Sequence, residues 1–384
     1  MTNIPIESTN AVNENLHHQP PGGWREYFSF STDHKVIGIQ YLVTSFIFFL
    51  IGGLFAMVIR AELITPEANL IDRTLYNRMF TMHGTVMIFL WIFPSLVGLS
   101  NYLVPLMIGA QDMAFPRLNA IAFWLVPVFG ILLLSSFLLP DGTAQAGWWS
   151  YPPVSTQNPS GSWLNGQTVW ILAVAISGVS SIMGGVNFVT TIVKMRAPGM
   201  TYFRMPAFVW TVLSAQLIQL SALPVLTAGA IMLLFDVTIG TSFFNPEKGG
   251  NPILFQHFFW FYSHPAVYVM VLPIFGVFSE VLPTFSRKPL FGYRVVAISS
   301  LLIAGVSILV WVHHMYTSGT PGWMRMFFMV STMCVAVPTG IKVFAWTATV
   351  WNGKLRLDTP MLFALGALIM FVFSGIGSGG YSCE

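Results

Sequence analysis

Trp260-Phe261-Tyr262-Ser263-His264-Pro265-Ala266-Val267-Tyr268 is the stretch on which the reading of this chain turns. It sits inside an apolar run, roughly 254–283, that is long enough to cross a bilayer, which takes about 20 mainly apolar residues. Imidazoles and phenols in such a run are costly unless they face a bundle interior, so they need a cause. His264 and Tyr268 are four residues apart and share one helix face. A lone His/Tyr pair at that spacing is more often packing than chemistry, and the surroundings decide between the two.

Seven more runs meet the length requirement, at roughly 36–59, 79–108, 119–139, 167–193, 206–235, 292–316 and 326–350. A ninth begins near Pro360 and loses its apolar character around Gly375. The spacing therefore predicts an all-α, polytopic transmembrane bundle of eight complete spans and a clipped ninth. Composition agrees. Of 384 residues, 55% are hydrophobic and 8% charged, and the net charge of +3 over so much apolar surface excludes nucleic acid as a partner. Residues 1–31 read as a polar tail, 32–375 as the membrane domain and 376–384 as a second polar tail. Nothing at the amino end has the pattern of a cleavable signal. Cys334 and Cys383 are too few for a thiolate metal site, and Cys334, in an apolar run, reads as a small buried hydrophobe.

Charge fixes an expected orientation. With the amino terminus inside, Arg25, Lys35, Arg117, Lys194, Arg196, Arg204, Arg287, Lys288, Arg294, Lys354 and Arg356 lie on the inner side. Arg60, Arg73, Arg78, Lys248 and Arg325 lie on the outer. Eleven against five is a positive-inside bias. Only Lys342 falls well inside a span. Leaving it there costs about 2.5–3.5 kcal/mol on insertion scales, so an idle lysine is a poor explanation.

Of eight histidines, five lie in apolar spans. With that orientation His83, His257, His264, His313 and His314 come from three spans and share the outer half of the membrane. His257, at the boundary, reads as an isolated interfacial histidine. The other four together read as metal ligands, because imidazole suits both copper and haem iron.

These residues carry a resemblance. The segment Trp260–Tyr268 resembles the copper-site helix of the haem-copper oxygen reductases. Trp311-Val312-His313-His314-Met315 resembles their paired-histidine segment, and Met82-His83-Gly84-Thr85-Val86-Met87-Ile88-Phe89 resembles their low-spin haem helix. Ser31-Thr32-Asp33-His34-Lys35, Asp112-Met113-Ala114-Phe115-Pro116-Arg117 and Pro338-Thr339-Gly340-Ile341-Lys342 add to the match, which runs from about Ser29 to Gly375. The resemblance implies subunit I of a cytochrome c oxidase: two haems, of the a type, and one copper ion. It implies that His83 is an axial ligand of the low-spin haem iron and that His264, His313 and His314 hold the copper. Tyr268 is implied as a redox-active phenol tied covalently to His264. Arg60 is implied to bond a haem substituent, and Trp260 to pack on the copper site. Asp112, Asn101 and Asn119 resemble the mouth of a D proton pathway, and Thr339 and Lys342 resemble a K pathway. Implied partners are oxidase subunits II and III, a cytochrome c or other small soluble donor, O2 and the lipid bilayer. The implied location is a bacterial plasma membrane.

Two departures stand out. Many members carry Glu two residues after the copper-site histidine. Ala266 is there instead, so the sequence resembles the subclass in which a tyrosine one turn earlier, here Tyr262, ends the D pathway. The family also has about a dozen spans, and its full site takes six histidines where this chain supplies four, so the sequence reads as truncated at the carboxyl side. Four alternatives follow. Quinol oxidation in the same fold is disfavoured by Leu70–Arg78, which lacks the histidine expected at a quinol site. Nitric oxide reduction is disfavoured by Tyr268 and the two pathways. An inactive membrane fragment is favoured by the missing ligands. A generic channel accounts for Lys342 and Asp112 but not for the histidines. Glu62, just past the first span, reads as an interfacial acid.

Overall fold

The structure, a computed structural model, describes residues 23–67, 70–157 and 161–381; the bulk of the amino-terminal tail, with His17 and His18, and the last three residues lie outside them. Nine helical segments follow one another: α1 (His34–Glu62), α2 (Arg73–Ile108), α3 (Pro116–Ser135), α4 (Gly166–Lys194), α5 (Ala207–Thr238), α6 (Pro252–Ser286), α7 (Tyr293–Ser307), α8 (Gly322–Val350) and α9 (Thr359–Tyr381). Among the described residues seven of these, all but α7 and α9, are long and apolar enough to span a membrane, and no strand forms beyond a single bridge between Thr143 and Gly166. The protein is an integral membrane protein of all-helical architecture. A lipid environment permits little else, because backbone groups must be paired within the segment.

The helix starts follow from local chemistry. Asp33 accepts from Lys35 N at 2.7 Å, Asp72 from Leu75 N at 2.6 Å, Asn165 from Thr168 N at 2.9 Å and Asn251 from Ile253 N at 2.9 Å. Each satisfies a donor that the first helical turn leaves unpaired. α1 and α2 cross where glycine permits it. A Cβ on Gly98 would stand 2.7 Å from Tyr41 Cβ and 2.9 Å from the Gly38 carbonyl oxygen, so neither helix could approach so closely with a larger residue. α5 and α6 form the central pair, and each of α1–α6 contributes buried side chains to one apolar cluster that includes Trp170, Phe259 and Tyr262.

Several expectations are corrected. The run 292–316 is not one helix: α7 ends at Ser307, and Trp311–Met315 forms a separate 3-10 turn. Gly305 and the β-branched Val306 and Ile308 weaken helix propagation there. The break is tolerated because Ser331 Oγ, on α8, donates to the Leu309 carbonyl at 2.7 Å. α9 keeps a helical backbone through Tyr381, so residues 376–381, read as a polar tail, continue the helix. Cys334 is exposed on α8 rather than buried. Glu62 is buried, not an open interfacial acid, and its Oε2 accepts from Ile71 N at 2.8 Å, closing the loop after α1.

Candidate metal centre

α6 carries Pro265 immediately after His264. Proline has no N–H, so the bond that residue 265 would give to the Phe261 carbonyl is missing, and the helix is loosened at the ligand-bearing turn. α2 also departs from regular α geometry near its histidine, with a π-helical stretch over Met87–Ile92, one turn past His83. Both histidine-bearing helices thus depart from regular geometry near their histidines.

The 3-10 turn and α6 bring three imidazoles together. One nitrogen from each of His264, His313 and His314 lies within 4.8 Å of the other two, the arrangement of a potential ion-binding triad. His264 Nδ1 and His314 Nε2 are 3.1 Å apart, and the rings of His264 and His313 are 4.4 Å apart and nearly perpendicular. Two imidazole nitrogens that close either share a proton or turn both lone pairs toward one cation. Adjacent ligands of an ion held at about 2.0 Å adopt a similar separation.

The surrounding hydrogen bonds fix tautomers. Thr332, on α8, donates its own hydroxyl to the Phe328 carbonyl at 2.6 Å, so its oxygen accepts from His313 Nδ1 at 2.9 Å. His313 therefore carries its proton on Nδ1 and offers the Nε2 lone pair. Trp260 lies flat on His314, with centroids 3.8 Å apart and planes 5° from parallel, and its indole N–H donates to the Tyr151 hydroxyl. The link 139–166 thus braces the triad from outside the spans, and burial pushes the Tyr151 phenol above its ordinary value, keeping it protonated. His264 Nε2 is buried without a hydrogen-bond partner among the described residues, and the Tyr268 ring centroid is 5.0 Å from that of His264. Three neutral imidazoles with their second nitrogens partly anchored fit a copper ion, and a buried unpaired Nε2 beside a phenol is a group awaiting a bond.

His83 stands apart from the triad. Its Nδ1 can only donate to the Gly52 carbonyl, 2.9 Å away, which leaves the lone pair on Nε2. A Cβ on Gly52 would meet Met87 Sδ at 2.9 Å, so glycine is needed where α1 approaches this turn. Arg60 is exposed in the last turn of α1. His257 is not in the triad; its Nδ1 accepts from Trp311 Nε1 at 3.2 Å.

The polar groups toward the other ends of the spans fall into two sets. Asn119 Nδ2 donates to Asn101 Oδ1 at 2.7 Å, both buried, and the Asn101 carbonyl accepts from His34 Nδ1 at 2.9 Å. Asp112 lies in the following loop, which Asn187 pins by bonding both N and O of Phe115. Lys342 is fully buried and donates to Ser300 Oγ at 2.7 Å and the Val296 carbonyl at 3.0 Å. Thr339, one turn earlier, is half-buried on the same helix. Tyr262 is buried on α6 and lines one cavity with Gln219 of α5. The sequence gives no signal for Thr332, Tyr151 or Ser300, since a hydroxyl in an apolar helix or a connecting loop takes its meaning from a neighbour distant in sequence.

With this geometry in hand, similarity to known proteins is informative. The family described as cytochrome c and quinol oxidase polypeptide I matches residues 36–379. A cytochrome c oxidase subunit 1 from Thermostichus vulcanus is 56% identical over 374 residues, covering 97% of this chain and 66% of the relative. One from Synechocystis sp. is 57% identical over 357 residues, covering 93% and 64%. The chain thus spans slightly less than two thirds of the length of these relatives. A solved haem-copper terminal oxidase dimer superposes with a TM-score of 0.72 over 89% of this chain and 60% of that one, at 20% identity, which establishes the fold. A family match over nearly the whole chain, joined to a convergent histidine triad on that fold, leaves one conclusion: the chain belongs to the cytochrome c and quinol oxidase polypeptide I family.

Proposed function

We propose that this chain provides the oxygen-reducing core of a respiratory terminal oxidase, taking electrons from cytochrome c and coupling them to proton translocation. The carrying observation is the triad of His264, His313 and His314 with Trp260 stacked on His314 and Tyr268 beside His264. In this reading the triad would hold one copper ion, His83 would ligate the iron of one of two haems, and Arg60 would bond a haem substituent. Copper and haem, when bound, supply the redox chemistry. Oxidase subunits II and III and a small soluble donor complete the assembly, in a bacterial plasma membrane with the amino terminus inside.

The chain's own residues hold ligands and move protons. Thr332 and Trp260 keep the imidazoles of His313 and His314 in place. Tyr268, beside the unpaired Nε2 of His264, is the residue positioned to give up a proton and to join Nε2 through a ring carbon, a tie that loses the N–H and C–H hydrogens as two protons and two electrons taken up by O2. Lys342, held by Ser300, and Thr339 form one proton route. Asp112, Asn101 and Asn119, ending at Tyr262, form the other. Both are needed because protons cannot cross the apolar core without polar stations. Tyr262 on α6 takes the place that a carboxylate would need at position 266, where Ala266 is buried.

Substituting His264→Ala, His313→Ala and His314→Ala in the assembled oxidase tests the reading. Each is expected to lower copper below a tenth of the stoichiometric amount while leaving the helical content intact. Full copper retention in all three would overturn it.

A further inference from the structure

The residues before α1 carry an aromatic cluster that packing among the described residues does not cover. A 3-10 turn over Trp24–Phe28 leaves Trp24 71% and Phe28 73% exposed, and Phe30 follows at 58%. The Trp24 and Phe28 rings meet edge to face with centroids 6.0 Å apart, and the Arg25 guanidinium lies 5.8 Å from the Trp24 ring centroid. Exposed aromatics grouped in this way mark a contact surface, whereas single ones need no explanation. Their backbone is tied down. Gln40, buried on α1, donates its amide to the Tyr27 carbonyl at 3.2 Å and to the Ser29 carbonyl at 2.9 Å. The chain therefore doubles back along the first turns of α1 instead of leading straight away from it. The depth of that contact follows from the helix. The 29 residues of α1 cover about 43 Å, against about 30 Å of hydrocarbon, which leaves roughly 6–7 Å of headgroup zone at either end. Gln40 stands about 9 Å along the axis from His34, where that zone meets the hydrocarbon. Bare carbonyls are costly at that level, and the Gln40 amide covers two of them.

We propose that Trp24, Phe28 and Phe30 form an anchor seated in the lipid headgroup layer on the amino-terminal side of the bilayer. Tryptophan suits that layer because its ring is apolar while its N–H can stay wet. A guanidinium beside the ring suits it too, since phosphodiesters bond arginine well. Arg25 and Lys35 are balanced in charge by Glu26 and Asp33, so the anchor does not depend on anionic lipid.

The test places a nitroxide on Phe28→Cys in the full chain, with Cys334→Ser and Cys383→Ser removing the native thiols, reconstituted into phosphatidylcholine vesicles. Collisions with dissolved oxygen and with a polar nickel chelate report the surroundings, because oxygen concentrates in lipid and the chelate stays in water. A label on Leu50→Cys, exposed on α1 and about 15 Å further along the axis than Gln40, marks the hydrocarbon. Oxygen is expected to outweigh the chelate by about threefold at residue 28 and by more at residue 50, the order set by their depths. A second variant, Trp24→Cys with Phe28 intact, repeats the reading should the label at residue 28 displace the turn. Collisions dominated by the chelate at both positions would put the rings in water and overturn the proposal. Few collisions with either reagent would mean that protein covers the patch, from the rest of the chain or a second copy, and would overturn it as well.

Discussion

Replacing Thr332 by valine isolates one interaction of the triad. Valine matches threonine in shape but has no oxygen to accept from His313 Nδ1, now 2.9 Å from Thr332 Oγ1. The hydroxyl is held by its own 2.6 Å bond to the Phe328 carbonyl, so its acceptor lone pair is already aimed and no reorganisation offsets the loss. His313 is half-buried, and its unpaired N–H would cost about 1–3 kcal/mol, which is about 5- to 150-fold in an equilibrium constant. Loss of an outer-shell partner of a ligating histidine typically weakens metal binding by about 10- to 100-fold, and the two ranges agree. The assay is copper retention by the assembled oxidase against a graded series of a competing chelator, comparing Thr332→Val with Thr332→Ser. The serine variant keeps the acceptor and is expected to stay within about threefold of the parent. If the valine and serine variants retained copper equally well, the bond would not be supporting the ligand, and the tautomer assigned to His313 would lose its basis.

Two further outcomes follow from other parts of the bundle. Lys342→Met, which preserves length and removes the donor to Ser300 and Val296, should lower turnover at least tenfold without reducing the melting temperature, because the lysine pays a desolvation cost that methionine does not; a turnover near the parent's would show that Lys342 is not a proton station. Gly98→Ala forces a methyl group to 2.7 Å from Tyr41 Cβ and should destabilise the α1–α2 crossing by about 1–3 kcal/mol, seen as a lower thermal midpoint in detergent; an unchanged midpoint would mean that the crossing yields more readily than its spacing indicates.

The span pattern was legible because hydrophobic length is a local property: α1, α4, α5 and α6 fall within three residues of their predicted limits. The ligand triad was legible because the paired histidines and the His264/Tyr268 spacing are compact motifs. What the sequence concealed depends on helix-to-helix contact. The end of α7 at Ser307 lies in an uninterrupted apolar run, and only Ser331 from the next helix makes the break affordable. Thr332 looks like an ordinary polar residue in an apolar helix until α8 meets the 3-10 turn. Glu62 looked solvent-facing because its cover, the Ile71 amide, belongs to a loop whose course the sequence does not fix.

The interruption after Ser307 separates two tasks that a continuous helix would have fused. The axial rotation of α7 is set by its packing against α5 and α8, yet the aim of His313 and His314 is set in the short turn beyond it, by Trp260 and Thr332. Mutations along the outer face of α7 can therefore accumulate without swinging the imidazoles. That face has room to change, while Trp311–Met315 does not.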